Sequence, residues 1–192
     1  MIKTTMSRKL AIGAMAMLMA WTAQAVEYDR IDPAESRIDF GFKQMGVGMD
    51  GRFDKFAVTL QFDPAKPEAA RAVLELQVDS VDTGSVEGNE EVKGKLWFDA
   101  ANHPLARFEA KGLKALGDGR FELSGDLTIK GRTKPVLASL SYVPDGARAR
   151  IEGSFPMKRS DFGVGEGEWA DFGLVADEIE IRFKMLALAA GQ

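Results

Sequence analysis

RFELSGDLTIKGRTKPV, residues 120–136, alternates between apolar and polar side chains. One register holds Phe121, Leu123, Gly125, Leu127 and Ile129, and polar residues fill most of the other register. Strict alternation places one set of side chains on each face of a β-strand. Turn-forming residues flank the segment at 117–119 and at 130–131. The pattern therefore predicts a half-buried antiparallel strand with one apolar face and one solvated face.

Similar alternating segments recur along the chain and predict about eight strands. The apolar register changes parity across Asp54-Lys55, which predicts a bulge or a sharp bend there, because a one-residue slip turns the apolar set outward. Residues 89–95 are polar and predict one short helical connection, although Gly88 and Gly94 weaken that prediction. Alternating strands joined by tight turns are typical of an all-β sandwich or a closed barrel, which periodicity does not separate. The remaining predicted strands centre on residues 38–42, 49–62, 74–78, 105–112, 136–142, 151–157 and 179–185.

Short motifs in a fixed order resemble the YceI-like family of bacterial periplasmic proteins. The central motif is Gly125-Asp126-Leu127-Thr128-Ile129-Lys130-Gly131, followed by Thr133-Lys134-Pro135-Val136. The resemblance covers nearly all of the chain after residue 26. It implies a lipocalin-like antiparallel barrel that holds a long polyisoprenoid lipid. The other motifs are Tyr28-x-x-Ile31-Asp32-Pro33, the strand from Ser36 to Phe42, Gly51-x-Phe53, Phe62-Asp63-Pro64, Trp97-Phe98-Asp99, His103-Pro104 with Phe108, and Arg159-Ser160-Asp161-Phe162-Gly163.

Residues 1–25 have the pattern of a cleaved secretory signal peptide. Three basic residues precede an apolar run from Leu10 to Trp21, and Ala23-Gln24-Ala25 forms a cleavage site. The apolar run is shorter than the roughly 20 residues that span a bilayer, which disfavours an uncleaved anchor. Removing 25 of the 192 residues would leave a single domain at 26–192, long enough for its own core. The expected location is the periplasm.

The charge and the residue types exclude several function classes. Without the three positive charges of the leader, the formal net charge falls from −4 to −7, whereas nucleic-acid binding requires a basic surface. The basic residues Lys130, Arg132 and Lys134 are therefore interpreted as a solvated turn. The chain has no cysteine and a single histidine, His103, which excludes disulfides and thiolate chemistry and leaves oxygen-rich sites for any metal.

Two sequence patterns resemble nucleotide motifs but lack the required context. Residues 46–51 match G-x-G-x-x-G, yet the residues that follow alternate with period two and predict no helix to hold a pyrophosphate. The tripeptides at 161–163 and 171–173 read Asp-Phe-Gly without the other kinase elements. Both are interpreted as turns in the glycine-rich loop between the last two strands.

That loop, residues 163–171, carries Glu166, Glu168 and Asp171 together with Trp169. The carboxylates could bind a hard cation, but the spacing matches no calcium loop, and a solvated loop is favoured. Trp169 has two interpretations, either a cap on the mouth of a cavity or a packing plug for the end of the barrel.

The ligand-binding hypothesis depends on the side chains that share the inward register. An eight-stranded barrel either fills its interior or holds one small ligand, and the family resemblance favours the ligand. Glycines at 51, 112, 125 and 153 lie in the same register and either bend the strands or leave room for a guest. The predicted ligand-binding residues are Phe40, Phe42, Phe53, Phe108, Phe121, Leu123, Leu127, Ile129, Ile151, Phe155 and Trp169.

The function expected from these features is that of a periplasmic carrier for a polyprenyl chain or an isoprenoid quinone, without catalysis or a further cofactor. One alternative is a filled, ligand-free barrel that acts as a partner of membrane proteins using quinones. A second is an enzyme acting on such a lipid, with His103 or the Glu166/Glu168 loop as acid or base. A homodimer is an open alternative.

Overall fold

A computed structural model describes residues 26–191 as one curled antiparallel sheet of ten strands with one α-helix. The predicted signal peptide lies outside the described residues. The helix α1 spans Val86–Lys93. The strands are β1 Tyr28–Gln44, β2 Val47–Phe53, β3 Phe56–Gln61, β4 Arg71–Gln77, β5 Val81–Asp82, β6 Leu105–Gly117, β7 Arg120–Ile129, β8 Arg132–Asp145, β9 Arg148–Lys158 and β10 Glu178–Ala189.

The sheet closes on itself through its first strand. The strand order is β3-β4-β6-β7-β8-β9-β10-β1-β2-β5, so β3 and β5 are its formal edges. Just beyond β3, the amide of Phe62 donates to the carbonyl of Tyr28 at 2.9 Å, and the amide of Tyr28 donates to the carbonyl of Phe62 at 2.8 Å. These two bonds join β3 to the start of β1, which gives the predicted barrel.

The ten observed strands correspond to eight predicted ones, in part because β2 and β3 are two halves of one bent strand. Along β1, Gln44 pairs with Val47 and Ile38 pairs with Phe53 in one hairpin register. Farther along the same pair of strands, Tyr28 pairs with Phe62 in a register shifted by one residue. The bend between the halves lies at residues 54–55, where the sequence predicts it. The strand β5 has only two residues and extends the edge of β2. Eight strand positions therefore surround the barrel.

The helix begins three residues earlier than the sequence predicts. Ser85 is its N-cap, and the Ser85 hydroxyl accepts a hydrogen bond from the Gly88 amide at 3.0 Å. Asn89 accepts hydrogen bonds from the amide and the hydroxyl of Thr83 at 2.6 and 2.8 Å, and these bonds tie α1 to the loop that precedes it. The polar composition indicated the helix, but the cap residue sets its start.

Two apolar clusters occupy the two ends of the barrel. The tyrosine end is built around Tyr28, Phe62, Phe121 and Tyr142. The helix end is covered by α1 and by the segment 159–177 between β9 and β10, and its cluster includes Trp97, Phe162 and Val164. The inward face of β7 contributes to both clusters, as its alternation predicts.

The inward-facing glycines have a role that neither sequence interpretation included. A Cβ atom added to Gly125 would lie 2.3 Å from the ring of Phe108, and one added to Gly153 would lie 2.4 Å from the ring of Phe183. Gly51 has the same relation to the ring of Phe40, at 2.3 Å. Each phenylalanine ring therefore lies against the wall over a neighbouring glycine, which keeps ring volume away from the barrel axis.

The motifs that resemble nucleotide sites are turns and strands in the structure. Residues 47–53 form β2, so no helix follows the glycine pattern and the rejection of a dinucleotide site is confirmed. Residues 159–162 form a single 3-10 turn, and Gly163 ends it with a φ of +65°. The second Asp-Phe-Gly, 171–173, is a turn in which Asp171 accepts from the amide of Gly173 at 2.8 Å.

Candidate ligand-binding cavity

The barrel encloses an apolar cavity of about 640 Å³. That volume lies in the range of natural small-molecule sites, which are also lined mainly by apolar and aromatic side chains. Met49, Ser85, Glu87 and Glu91 line the cavity and are exposed to solvent, so the cavity reaches the surface at the helix end.

The structure places ten of the eleven predicted ligand-binding residues on the cavity wall. The exception is Phe121, which packs in the tyrosine end with ring centroids 6.1 Å from Phe62 and 6.3 Å from Tyr142. The residues on the wall are Phe40, Phe42, Phe53, Phe108, Leu123, Leu127, Ile129, Ile151, Phe155 and Trp169.

Sequence reasoning missed two groups of lining residues. The first lies on strands whose inward register was visible but was not extended to the site. It includes Val58, Leu60, Phe62, Leu74, Leu76, Tyr142, Ile181, Phe183 and Met185. The second comes from the connections at the helix end, where no period-two pattern exists. It includes Val92, Trp97, Phe98, Arg159, Val164 and Val175.

The tyrosine end carries one polar pair inside its aromatic cluster. The hydroxyl oxygens of Tyr28 and Tyr142 are 3.2 Å apart and share a hydrogen bond. Burial, together with the bond to Tyr28, raises the pKa of Tyr142 well above its ordinary value. The Tyr142 phenol is therefore neutral at physiological pH.

Trp169 joins the segment 159–177 to α1 at the helix end. Its half-buried ring lines the cavity and packs against Trp97 with ring centroids 5.4 Å apart. Its indole nitrogen donates to the carboxylate of Glu91 on α1 at 2.8 Å. The side chain thus covers part of the cavity and also links the two elements that form this end.

Arg159 is the most buried charged residue of the described chain, with 1% of its surface exposed. All five of its N–H donors are directed at backbone carbonyls, which matches the full donor capacity of a guanidinium. Nε donates to Ala176 at 3.1 Å. Nη1 donates to Val164 and Gly165 at 2.9 and 2.8 Å, and Nη2 donates to Trp169 and Val175 at 2.7 and 2.8 Å.

The surroundings of Arg159 make it a structural cation. Its guanidinium carbon lies 5.5 Å from the ring centroid of Trp97 and 5.2 Å from that of Phe172, within the range of cation–π attraction. Burial lowers the pKa of Arg159, and the charge of Asp177 partly opposes that effect, but a guanidinium stays protonated. The five carbonyl contacts fix the path of the segment that carries Val164, Trp169 and Val175 to the cavity.

Trp97 has an unusual hydrogen-bonding state. The residue lines the cavity and is 7% exposed. Within residues 26–191, its Nε1 is the buried side-chain nitrogen or oxygen that has no hydrogen-bond partner. Buried polar groups are normally paired, so this donor requires an explanation.

The residues considered for catalysis do not line the cavity. Glu166 accepts hydrogen bonds from Lys130 at 3.0 Å and from Arg132 at 3.1 Å, and these bonds, led by that of Lys130, lower the pKa of the Glu166 carboxyl. His103 lies beside Gly131, outside the cavity wall. Among the described residues, no group of three histidines or carboxylates is arranged to hold a metal ion.

Residues 26–191 contain no helix that is both long and apolar enough to cross a membrane.

Known proteins resemble this chain over most of its length. Residues 30–187 match the model of the YceI-like domain. A UPF0312 protein of Azotobacter vinelandii and one of Pseudomonas aeruginosa are each 32% identical over 190 residues, which cover 94% of this chain and 95% of the relative.

Solved structures give the same result for the fold. The crystal structure of Burkholderia cenocepacia BcnA is 39% identical, with a TM-score of 0.79, covering 82% of this chain and 99% of that one. A polyisoprenoid binding domain from Saccharophagus degradans is 18% identical, with a TM-score of 0.66, covering 86% of this chain and 98% of that one, and it supports the fold alone. The matched domain, the relatives and the barrel agree, and the chain belongs to the YceI-like family.

Proposed function

We propose that this protein binds a long isoprenoid lipid, either a polyprenyl chain or an isoprenoid quinone, and carries or stores it in the periplasm. The observation that supports the proposal is the apolar cavity of about 640 Å³ inside the barrel. Natural barrels of this size either fill their interior with side chains or hold one ligand. A cavity of this volume favours the second class and disfavours a filled, ligand-free barrel.

The hydrophobic effect supplies the affinity that such a carrier needs. Each methylene group removed from water contributes about 0.8 kcal/mol, so about ten buried groups contribute roughly 8 kcal/mol before the cost of ordering the chain. An isoprenoid tail that crosses an aqueous compartment exposed to water would lack that stabilising free energy. A dry aromatic wall removes the cost without any chemical reaction.

The choice of an isoprenoid among lipids is supported by analogy. The Saccharophagus degradans domain with this fold is described as polyisoprenoid binding. Fold alone does not fix function, so the cavity of this chain is the primary support and the relative is the secondary one. The proposed periplasmic location follows from the signal-peptide pattern of residues 1–25.

An enzymatic role has less support from the geometry. His103, Glu166 and Glu168 are not among the cavity-lining residues, and Glu166 is held as an ion-paired carboxylate. A general acid or base must lie within hydrogen-bond reach of the group it protonates or deprotonates. A guest inside the barrel would be out of contact with these three residues.

A series of linear isoprenoid alcohols of increasing length tests the proposal. Affinity is measured by quenching of tryptophan fluorescence, because Trp97 and Trp169 both line the cavity. We expect the affinity to rise steeply with each isoprene unit and to level off once the cavity is full. An affinity independent of chain length would contradict burial of the tail.

Two substitutions on adjacent residues provide the matched control. Ala138 is 3% exposed and lines the cavity, whereas Leu137 is 62% exposed on the outer face of β8. Ala138→Trp should place an indole inside the cavity and weaken binding of the longer alcohols by at least tenfold. Leu137→Trp adds an indole outside and should bind like the wild type. Equal binding by both variants would exclude the barrel interior as the site.

A further inference from the structure

The hairpin turn between β1 and β2 carries an apolar residue where a polar one is usual. Met45 has a φ of +49° and Gly46 a φ of +80°, the two positive values that a type I′ turn requires. The first position of such a turn favours asparagine, aspartate or glycine. Two other two-residue hairpin turns have the same signs of φ, and their first positions hold Asp118 and Lys130, which are polar. Met45 is 70% exposed, so neither the backbone nor burial explains a methionine at this position.

Met45 belongs to an apolar surface that two loops form together. Its amide donates to the carbonyl of Leu174 at 2.9 Å, and the amide of Ala176 donates to the carbonyl of Lys43 at 2.9 Å. These bonds hold the turn between β1 and β2 against residues 172–176. Residues 44–49 and 172–176 contain no charged side chain. The exposed apolar side chains of this surface, which we name the turn patch, are Met45, Val47, Met49, Phe172 and Leu174.

The turn patch continues into the wall of the cavity. Met49 is exposed and also lines the cavity, and Phe42, its partner in the ladder between β1 and β2, lies on the same wall. Val175 follows Leu174 in the chain, is buried, and lines the cavity as well. The apolar surface outside the barrel therefore meets the apolar surface inside it at the helix end, where the cavity reaches the exterior.

The charged groups around the turn patch are mostly acidic. Asp50 forms an ion pair with Arg182, whereas Glu87 and Glu91 of α1 are exposed at the mouth of the cavity. Five of the six charged residues at the borders of the patch and at the mouth are carboxylates, so these surroundings favour contact with a neutral surface over an anionic one. The six residues are Lys43, Asp50, Glu87, Glu91, Asp171 and Asp177.

A lipid bilayer suits the turn patch better than a folded protein does. A stable protein interface takes about 20–30 residues a side, and the patch offers five exposed side chains on two loops. Apolar side chains that project from a surface can enter the boundary between lipid head groups and acyl chains, which needs no complementary pocket. A lipid leaving that boundary would reach the cavity across Met49 without exposing its tail to water.

We propose that the turn patch docks the open helix end of the barrel on a lipid bilayer, with Met45 and Val47 inserted at the depth of the boundary between head groups and acyl chains. The inference goes beyond the proposed function, because it adds the surface at which a carrier meets the membrane that supplies its guest. Docking is tested on vesicles that contain no isoprenoid. Failure to dock and failure to bind an isoprenoid are therefore separate results.

Sedimentation with sucrose-loaded phosphatidylcholine vesicles measures docking of the exported, processed protein. The test variant combines Met45→Asn with Val47→Thr, because asparagine suits the left-handed turn position and threonine keeps the β-branched shape of valine. Burying one side chain of this size corresponds to a change on the order of tenfold to a hundredfold in a partition coefficient. We expect the double variant to bind the vesicles at least tenfold more weakly than the wild type, and circular dichroism checks that it is folded.

Leu116 provides the matched control at the opposite end of the barrel. It is half-exposed near the end of β6, where the neighbouring strand carries Phe121 of the tyrosine end. Leu116→Thr also removes an exposed apolar side chain and should bind vesicles like the wild type. Replacing half of the phosphatidylcholine by phosphatidylglycerol should weaken docking of the wild type at low salt, because carboxylates surround the patch. Stronger docking on the anionic vesicles would contradict the proposal.

A second measurement locates the contact directly. Val47→Trp and Leu116→Trp each add one indole to the native tryptophans, and bromine atoms on the acyl chains of the vesicles should quench the added indole at position 47 and not the one at 116. Equal vesicle binding by the wild type and the double variant would overturn the proposal, as would no binding by the wild type. A wild-type dimer in analytical ultracentrifugation that the double variant loses would also overturn it, because the patch would then contact a second copy of the chain.

Discussion

Replacing Arg159 tests how the helix end of the cavity is held together. Arg159→Lys keeps the positive charge but has three donors where the guanidinium has five, so at least two of the five carbonyls lose their partner. Arg159→Met removes the charge and all five donors. A buried carbonyl left without a donor costs about 1–3 kcal/mol. The lysine variant should therefore lose at least about 2 kcal/mol of unfolding free energy.

The methionine variant should lose about 3–5 kcal/mol, the usual cost of breaking a buried charged network. Because the contacts lie within residues 159–177, part of the loss should appear as local opening. Urea unfolding gives the free energies, and amide hydrogen exchange over 163–176 gives the local effect. Arg132→Lys is the control, since Arg132 is half-exposed and should change stability by less than about 0.5 kcal/mol. The reasoning is refuted if Arg159→Lys is as stable as that control or leaves the exchange unchanged.

Two further substitutions test the wall and the outer surface of the barrel. Gly125→Ala should destabilise the fold and reduce binding of long isoprenoid alcohols, because its Cβ would force the ring of Phe108 away from the wall and into the cavity; unchanged thermal unfolding and affinity would contradict this. Lys130 and Arg132 lower the pKa of Glu166 below its ordinary value of 4.5, so its ion pairs stabilise the fold above that pH and lose their effect as the pH falls through the lowered pKa. The stability difference between the wild type and Glu166→Gln, measured by urea unfolding, should therefore shrink from pH 7 to pH 3, and a constant difference would show that the pairs contribute nothing.

Local periodicity was sufficient to predict most of the barrel. The alternation around Gly125 placed the inward face of β7, and the change of parity at residues 54–55 located the bend between β2 and β3. The same alternation selected nine of the residues that line the cavity, and the tenth, Trp169, came from the loop between β9 and β10. Phe121 obeys the rule as well, but its position near the end of the strand places it in the tyrosine cluster.

The features at the helix end could not be predicted because they depend on chain segments distant in sequence. Arg159 was visible as part of a family motif, but its carbonyl partners extend to residue 176 and come together only in the folded segment. Trp97 gave no sign that its indole nitrogen would be unpaired. The contact between Gly125 and Phe108 also requires the pairing of β6 with β7. Sequence patterns show which face of a strand or helix is buried. The features at the helix end depend instead on how separate segments pack together in the folded chain.

The most direct measurement is organic extraction of the protein purified from the periplasm of its own host, followed by mass spectrometry of the extract. Ala138→Trp, purified in the same way, controls for lipid that adheres to the surface. The account predicts about one isoprenoid lipid per wild-type molecule, and little in the variant. A wild-type protein that is repeatedly empty, or equal lipid in both proteins, would contradict the central claim that the barrel interior is the binding site.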